Sequence, residues 1–186
     1  MSDTEYMAEA IDFARTNRVW PFAAVIVHDV TGDILVRATD AAHISPIYHA
    51  ETLALHVLAT EMPEYQDNGE TFTLYSTAEI EPMGMGCLFW ANLLGFSVSR
   101  AVYGASLNAI NHLWDWGDQM ESRTFNRTFE HTSVTIDGPV MEAECLALFE
   151  QAHQYQKTLD LQRPGKTLSM NPADFWDIVT PQGTRD

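Results

Sequence analysis

The sequence predicts an α/β protein of three layers, in which a mixed five-stranded sheet is sandwiched between helices. Three observations predict it. Helical and extended patterns alternate in the order helix, hairpin, helix, strand, helix, strand, helix. The two first strands are joined by a short turn, which makes them antiparallel, while the later ones are separated by helices. The strands are rich in apolar and β-branched residues, as expected of a sheet covered on both faces.

Each element follows from local pattern. In Glu5 to Asn17, the residues Met7, Ile11, Phe13 and Ala14 fall on one helical face. Pro21 to His28 is a buried strand, Thr31-Gly-Asp33 a turn, and Ile34 to Thr39 the second strand of a hairpin. Ala41 to Tyr48 is a loop holding Pro46. His49 to Thr60 is a helix with Leu53, Ala54, Val57 and Leu58 on its core side. Pro63 to Glu70 is a polar loop, and Thr71 to Thr77 alternates as a strand. A helix is expected from Cys87 to Leu94, because Gly84-Met-Gly86 is a poor helix former. Ser99 to Ala105 is a strand, Asn108 to Trp116 a short helix, Ser133 to Ile136 an extended piece, and Met141 to Leu159 a long helix. Residues 1–160 are expected to form a single domain. Residues 161–186 form a Pro- and Gly-containing tail with one apolar turn at Phe175-Trp176.

Composition narrows the function. The chain of 186 residues is 46% hydrophobic and 19% charged, which fits a globular domain with a real core. No apolar run reaches the ~18 residues that a membrane span needs. The acidic start, Met-Ser-Asp-Thr-Glu, lacks the pattern of a secretory signal. Cys87 and Cys145 are the only cysteines, too few for a disulfide framework or for three thiolates at one zinc, so a cytoplasmic location is expected. The net charge of −16 and ten scattered basic residues oppose nucleic-acid binding. A small-molecule substrate is expected, and neither a nucleic acid nor a membrane as partner.

The chemistry is concentrated at His49-Ala50-Glu51, which opens a helix after Ser45-Pro46-Ile47-Tyr48. Zinc deaminases use one His and two Cys as ligands, with a Glu that is not a ligand, in the pattern H-x-E…P-C-x-x-C. Residues at i and i+2 of a helix point in different directions. An imidazole at 49 can therefore hold a metal while a carboxylate at 51 reaches the water and the substrate.

Further segments carry a resemblance. Pro21-Phe-Ala-Ala-Val-Ile-Val is similar to N-P-F-G-A-V-I-V, and Ser45-Pro-Ile-Tyr-His-Ala-Glu-Thr-Leu-Ala-Leu55 to D-P-T-x-H-A-E-x-x-A-I. Leu74-Tyr-Ser-Thr, Phe89-Trp-Ala91, Ala101-Val-Tyr-Gly-Ala-Ser106 and Gly138-Pro-Val-Met-Glu-Ala-Glu match, in order, L-Y-T-T, Y-W-A, V-V-Y-G-A-S and G-P-x-L-x-E-E. Together they resemble the cytidine deaminase-like superfamily, in particular its guanine deaminase and tRNA-adenosine-deaminase-like branch, from about Trp20 to about Ala152.

The resemblance breaks where two zinc ligands belong. The family's T-x-E-P-C-x-M-C faces Thr77-Ala-Glu-Ile-Glu-Pro-Met-Gly-Met-Gly-Cys87. Without gaps, Glu81 takes the first cysteine's place and Gly84 the second's. A second register pairs Glu81-Pro82 with E-P and puts Met83 and Gly86 at the ligand positions. A third lengthens the loop so that Cys87, in the first turn of a late-starting helix, replaces the second cysteine.

The resemblance implies Glu51 as the catalytic proton carrier and His49, with Glu81 or Cys87, as metal ligands. The implied cofactor is zinc, held weakly, atypically or not at all. Asp40 falls near a substrate-holding asparagine of the family, and Phe22 lies in the matched strand. Trp114 and Asp115 are further candidate contacts, by stacking and by hydrogen bonding. A homodimer is implied too. Two functions are expected from these residues. One is a deaminase-type hydrolase acting on a C–N bond of a purine-like or related small heterocycle. The other is a divergent protein of the same fold: a metal-free acid–base enzyme, a ligand binder or a partner subunit.

Overall fold

The computed structural model describes residues 1–115, 120–129, 134–159 and 179–181. Six α-helices are described: α1 (Asp3–Ala14), α2 (Ala50–Glu61), α3 (Pro82–Leu93), α4 (Leu107–Trp114), α5 (Ser122–Asn126) and α6 (Glu142–Thr158). The strands are β1 (Ala23–His28), β2 (Ile34–Thr39), β3 (Thr71–Ala78), β4 (Ser97–Ala105), β5 (Thr135–Asp137) and β6 (Val179–Pro181). They form one sheet in the order β5-β4-β3-β1-β2-β6.

The sheet is mixed, as the sequence predicts. β1 pairs antiparallel with β2 through the hairpin and with β3 on its other side. β3, β4 and β5 run parallel, joined by helical crossovers. The expected five strands are all present. A sixth, of three residues, pairs antiparallel with the outer edge of β2. Phe175-Trp176 lies outside the described residues.

Every residue of β1 is buried, because helices cover both faces of the sheet. Ala24 and Ile26 point into a core shared with Leu53, Ala54, Val57 and Leu58 of α2. Ala23, Val25 and Val27, alternating with them, face Met7 and Ile11 of α1 and Phe149 of α6. Gly104 brings α6 against β4: a Cβ there would lie 2.7 Å from the Thr77 carbonyl oxygen and run into Cys145 Sγ. Cys145 is fully buried and belongs to the core, as its place in the last helix suggests.

One boundary differs in a way that matters for the site. α3 begins at Pro82, not near Cys87. Glu81 caps it, accepting the N–H of Met83 at 2.5 Å and of Gly84 at 2.8 Å, and Pro82 occupies the first helical position. This cap and the preset proline φ offset the low propensity of the glycines that follow. The loop after α4 also contains α5, which no periodicity announces. No helix among the described residues is long and apolar enough to cross a membrane.

Candidate functional site

β1 and β3 are antiparallel, so their carboxyl ends lie at opposite ends of the sheet. At the β3 end, between the start of α2 and the loop after Ala78, lies a cavity of about 360 Å³. Trp20, Phe22, Leu107 and Ile110 form apolar walls, and Asp40, His49, Glu51, Glu79 and Glu81 bring the polar groups.

His49 is the N-cap residue of α2, with extended backbone, and Glu51 sits in the first turn. The two therefore leave the helix start in different directions and still reach one cavity. Glu51 is buried at 5% exposure and accepts a hydrogen bond from Ser76 Oγ on β3. Burial pushes its carboxyl above the usual range, against the lowering effect of that hydrogen bond.

The His49 imidazole meets Glu81, with Nδ1 3.3 Å from Oε1. That hydrogen bond raises the His49 pKa to about 8, against the effect of burial and with help from the Glu51 and Asp40 charges. Burial acts to raise the Glu81 pKa, but His49 and the two helix N–H groups outweigh it, so Glu81 titrates below the ordinary carboxylate range. The pair is ionic at neutral pH.

Asp40 is buried at 6% exposure, and its Oδ1 accepts the Ala42 N–H at 2.9 Å. Burial pushes its pKa up to about 6, with His49 pulling the other way. Glu79 is the acidic residue that the sequence did not single out for the cavity. Its carboxylate accepts the Leu107 N–H at 3.1 Å and both the N–H and the hydroxyl of Ser122, at 3.0 and 2.8 Å. It ties the starts of α4 and α5 to the end of β3. Its partners lie far along the chain, so no local pattern could announce the role.

The structure brings Phe22, Asp40, His49, Glu51 and Glu81 together and leaves three expected residues outside. Trp114 does not line the cavity. Its ring packs edge-on behind Phe22 and Trp20, at centroid distances of 5.4 and 5.6 Å, and its Nε1–H donates to the Phe149 carbonyl. Asp115 is the exposed, left-handed C-cap of α4. Cys87 does not line the cavity either, and the late helix start that would have put it in a first turn is corrected. Three residues past Gly84 on a continuous helix is about 4.5 Å along the axis. There its partly buried thiol packs against the core, and burial raises its pKa. Trp116, the expected end of the short helix, lies outside the described residues.

Zinc binding needs three or four N, O or S donors converging at about 2.0–2.3 Å. Among the described residues no group of three or more His, Cys, Asp or Glu side chains is arranged to hold a metal ion. His49 and Glu81 meet, but both Glu81 oxygens already accept helix N–H groups, and no thiol joins them. The side chains present do not fit a zinc centre of one His and two Cys.

No family model and no curated protein sequence matches the chain. Solved structures do. Guanine deaminase from Nitrosomonas europaea superposes with a TM-score of 0.66 at 20% identity, over 80% of this chain and 82% of that one. The protein NE0047 in complex with 2,6-diaminopurine gives 0.68 at 18% identity, over 91% and 86%. A tRNA:A34 deaminase, which edits A to I at the wobble position, gives 0.60 at 22% identity, over 78% and 99%. The helix-covered mixed sheet that forms this cavity is thus the cytidine deaminase-like fold, shared with guanine deaminases and tRNA adenosine deaminase.

Proposed function

We propose that the protein is a deaminase-type hydrolase acting on a C–N bond of a purine-like or related small heterocycle, with Glu51 as proton carrier. One observation carries the reading: one cavity brings a buried carboxyl and an imidazole together with apolar and aromatic lining. Its volume of about 360 Å³ suits a base-sized ligand. The purine ligand of one similar structure and the guanine deaminase activity named for another support the choice of substrate class.

In this reading Asp40 accepts a ring N–H or amino group, since an ionised carboxylate only accepts. Water adds through oxygen to the ring carbon that carries the amine. Glu51 takes one proton from that water and passes it to the ring nitrogen beside the attacked carbon, then moves the hydroxyl proton of the adduct to the departing nitrogen. Ammonia leaves and a carbonyl remains. A carboxyl that burial holds above its ordinary range suits both halves of this transfer. The donor set offers no thiolate zinc centre to make hydroxide, so the substrate must be an electron-poor ring whose carbon is already electrophilic. The acidic surface supports a free small molecule rather than a nucleic acid as substrate. Exposed Trp90, Leu93 and Leu94 around the end of α3 support a homodimer. The deaminase-like unit is residues 1–160 in a cytoplasmic protein.

The test is ammonia release across a panel of aminated purines, pyrimidines and pteridines, with Glu51→Gln as control. The reading expects release from at least one ring, falling by about 10²–10⁴-fold in the variant. A second reading, a ligand binder of the same fold, is favoured by the engagement of both Glu81 oxygens in helix capping. It expects calorimetric binding without ammonia, unchanged by that substitution.

A further inference from the structure

Glu81 makes three contacts. Its Oε2 accepts the Met83 N–H at 2.5 Å, and its Oε1 accepts the Gly84 N–H at 2.8 Å and lies 3.3 Å from His49 Nδ1. A carboxylate offers about four lone-pair sites, so most of its accepting capacity is spent inside the protein. Gly84 leaves no room for a ligating side chain beside it. A Cβ there would lie 2.6 Å from Ile80 Cγ2 and 3.6 Å from both Glu51 Cβ and Glu81 Oε1. Ile80 is itself buried at 2% exposure and fills that space with hydrocarbon.

The other half of the pair is equally constrained. His49 contributes no side-chain cap to α2, so its ring is free of that duty and lines the cavity. Glu81 engages Nδ1, which leaves Nε2 as the ring nitrogen available to a ligand.

We infer that Glu81 is a positioning residue: a helix cap that holds the His49 ring by Nδ1, so that Nε2 meets the substrate directly with no metal ion between them. The inference rests on the cavity being the working site, but its test needs no substrate. The full-length protein is dialysed against zinc and its metal content measured. The ring nitrogens of His49 are then observed by long-range ¹H–¹⁵N NMR. No bound zinc is expected, and the His49 signals are expected to be unchanged by zinc. Nδ1 is expected to carry the proton even when the ring is neutral, the reverse of free histidine. Glu81→Gln is expected to lose that pattern, with a folded circular dichroism spectrum, and Glu81→Asp to restore part of it. One zinc per chain that disappears in His49→Ala, or a ring pattern indifferent to Glu81→Gln, overturns the inference. A zinc-bound protein that still releases ammonia would leave the hydrolase reading standing. A metal-free, Nδ1-protonated protein that releases none would sink that reading and leave this one.

Discussion

Ser76 Oγ on β3 donates a hydrogen bond to Glu51 Oε1 in the first turn of α2, with both side chains out of solvent. The strand thereby supports the charged form of a carboxyl that burial pushes toward neutrality. Ser76→Ala removes that support and no apolar contact. The Glu51 pKa is expected to rise further, read from the ¹³C shift of its carboxyl carbon against pH. A pKa that stays put or falls would show that Ser76 does not set it.

Asp40 links the site to stability. Its folded pKa is raised to about 6, above an unfolded value near 3.8. Folding therefore favours its protonated form. The contribution is fully present below about pH 4 and is lost as pH rises through 6. A shift of this size corresponds to on the order of 3 kcal/mol. Asp40→Asn keeps an oxygen for the Ala42 N–H and should flatten this limb. Urea unfolding of both proteins from pH 4 to 7 is expected to show the variant gaining stability relative to the wild type as pH rises. Parallel curves would contradict it.

Gly104→Ala tests the packing of α6. The new methyl meets a backbone oxygen and a buried sulfur, neither of which can swing away. Overpacking of this kind costs about 1–3 kcal/mol. The unfolding free energy extrapolated from urea titration should fall by that amount. Cys145→Ala should not rescue it fully, because the Thr77 carbonyl remains.

Arg100 anchors α1 to the sheet, with Nη1 and Nη2 on Asp3 at 2.8 and 2.7 Å and Nε on Asp137 at 2.6 Å. The guanidinium holds the Asp3 carboxyl below its ordinary range. A lowered folded pKa gives stability that is present above the unfolded value and is lost as pH falls. The groups are partly exposed, so the effect is about 1 kcal/mol or less. Arg100→Met is expected to lower stability by that much at pH 7 and by nothing near pH 2.

What was legible in the sequence tracked the range of the cause. The apolar run of β1 and the hairpin turn report on their own burial and backbone, so both were readable. His49 and Glu51 were readable because two residues on one helix start must share an end of the sheet. Glu81-Pro82 before an apolar run is a helix-start signal, and the glycines after it hid that signal. Trp114 read as a stacking surface because periodicity cannot tell a cavity wall from the layer supporting it. Ile80 against Gly84 and Glu79 against Ser122 depend on tertiary placement and leave no local trace.

The Glu79 latch has a thermodynamic corollary. By fastening the starts of two helices before any ligand arrives, it removes the ordering step that otherwise consumes part of the association energy. Complex formation should then follow simple one-step kinetics, its observed rate climbing in a straight line with ligand concentration. Discrimination between similar rings would fall to the fixed shape of the walls instead of to a folding-over of the chain.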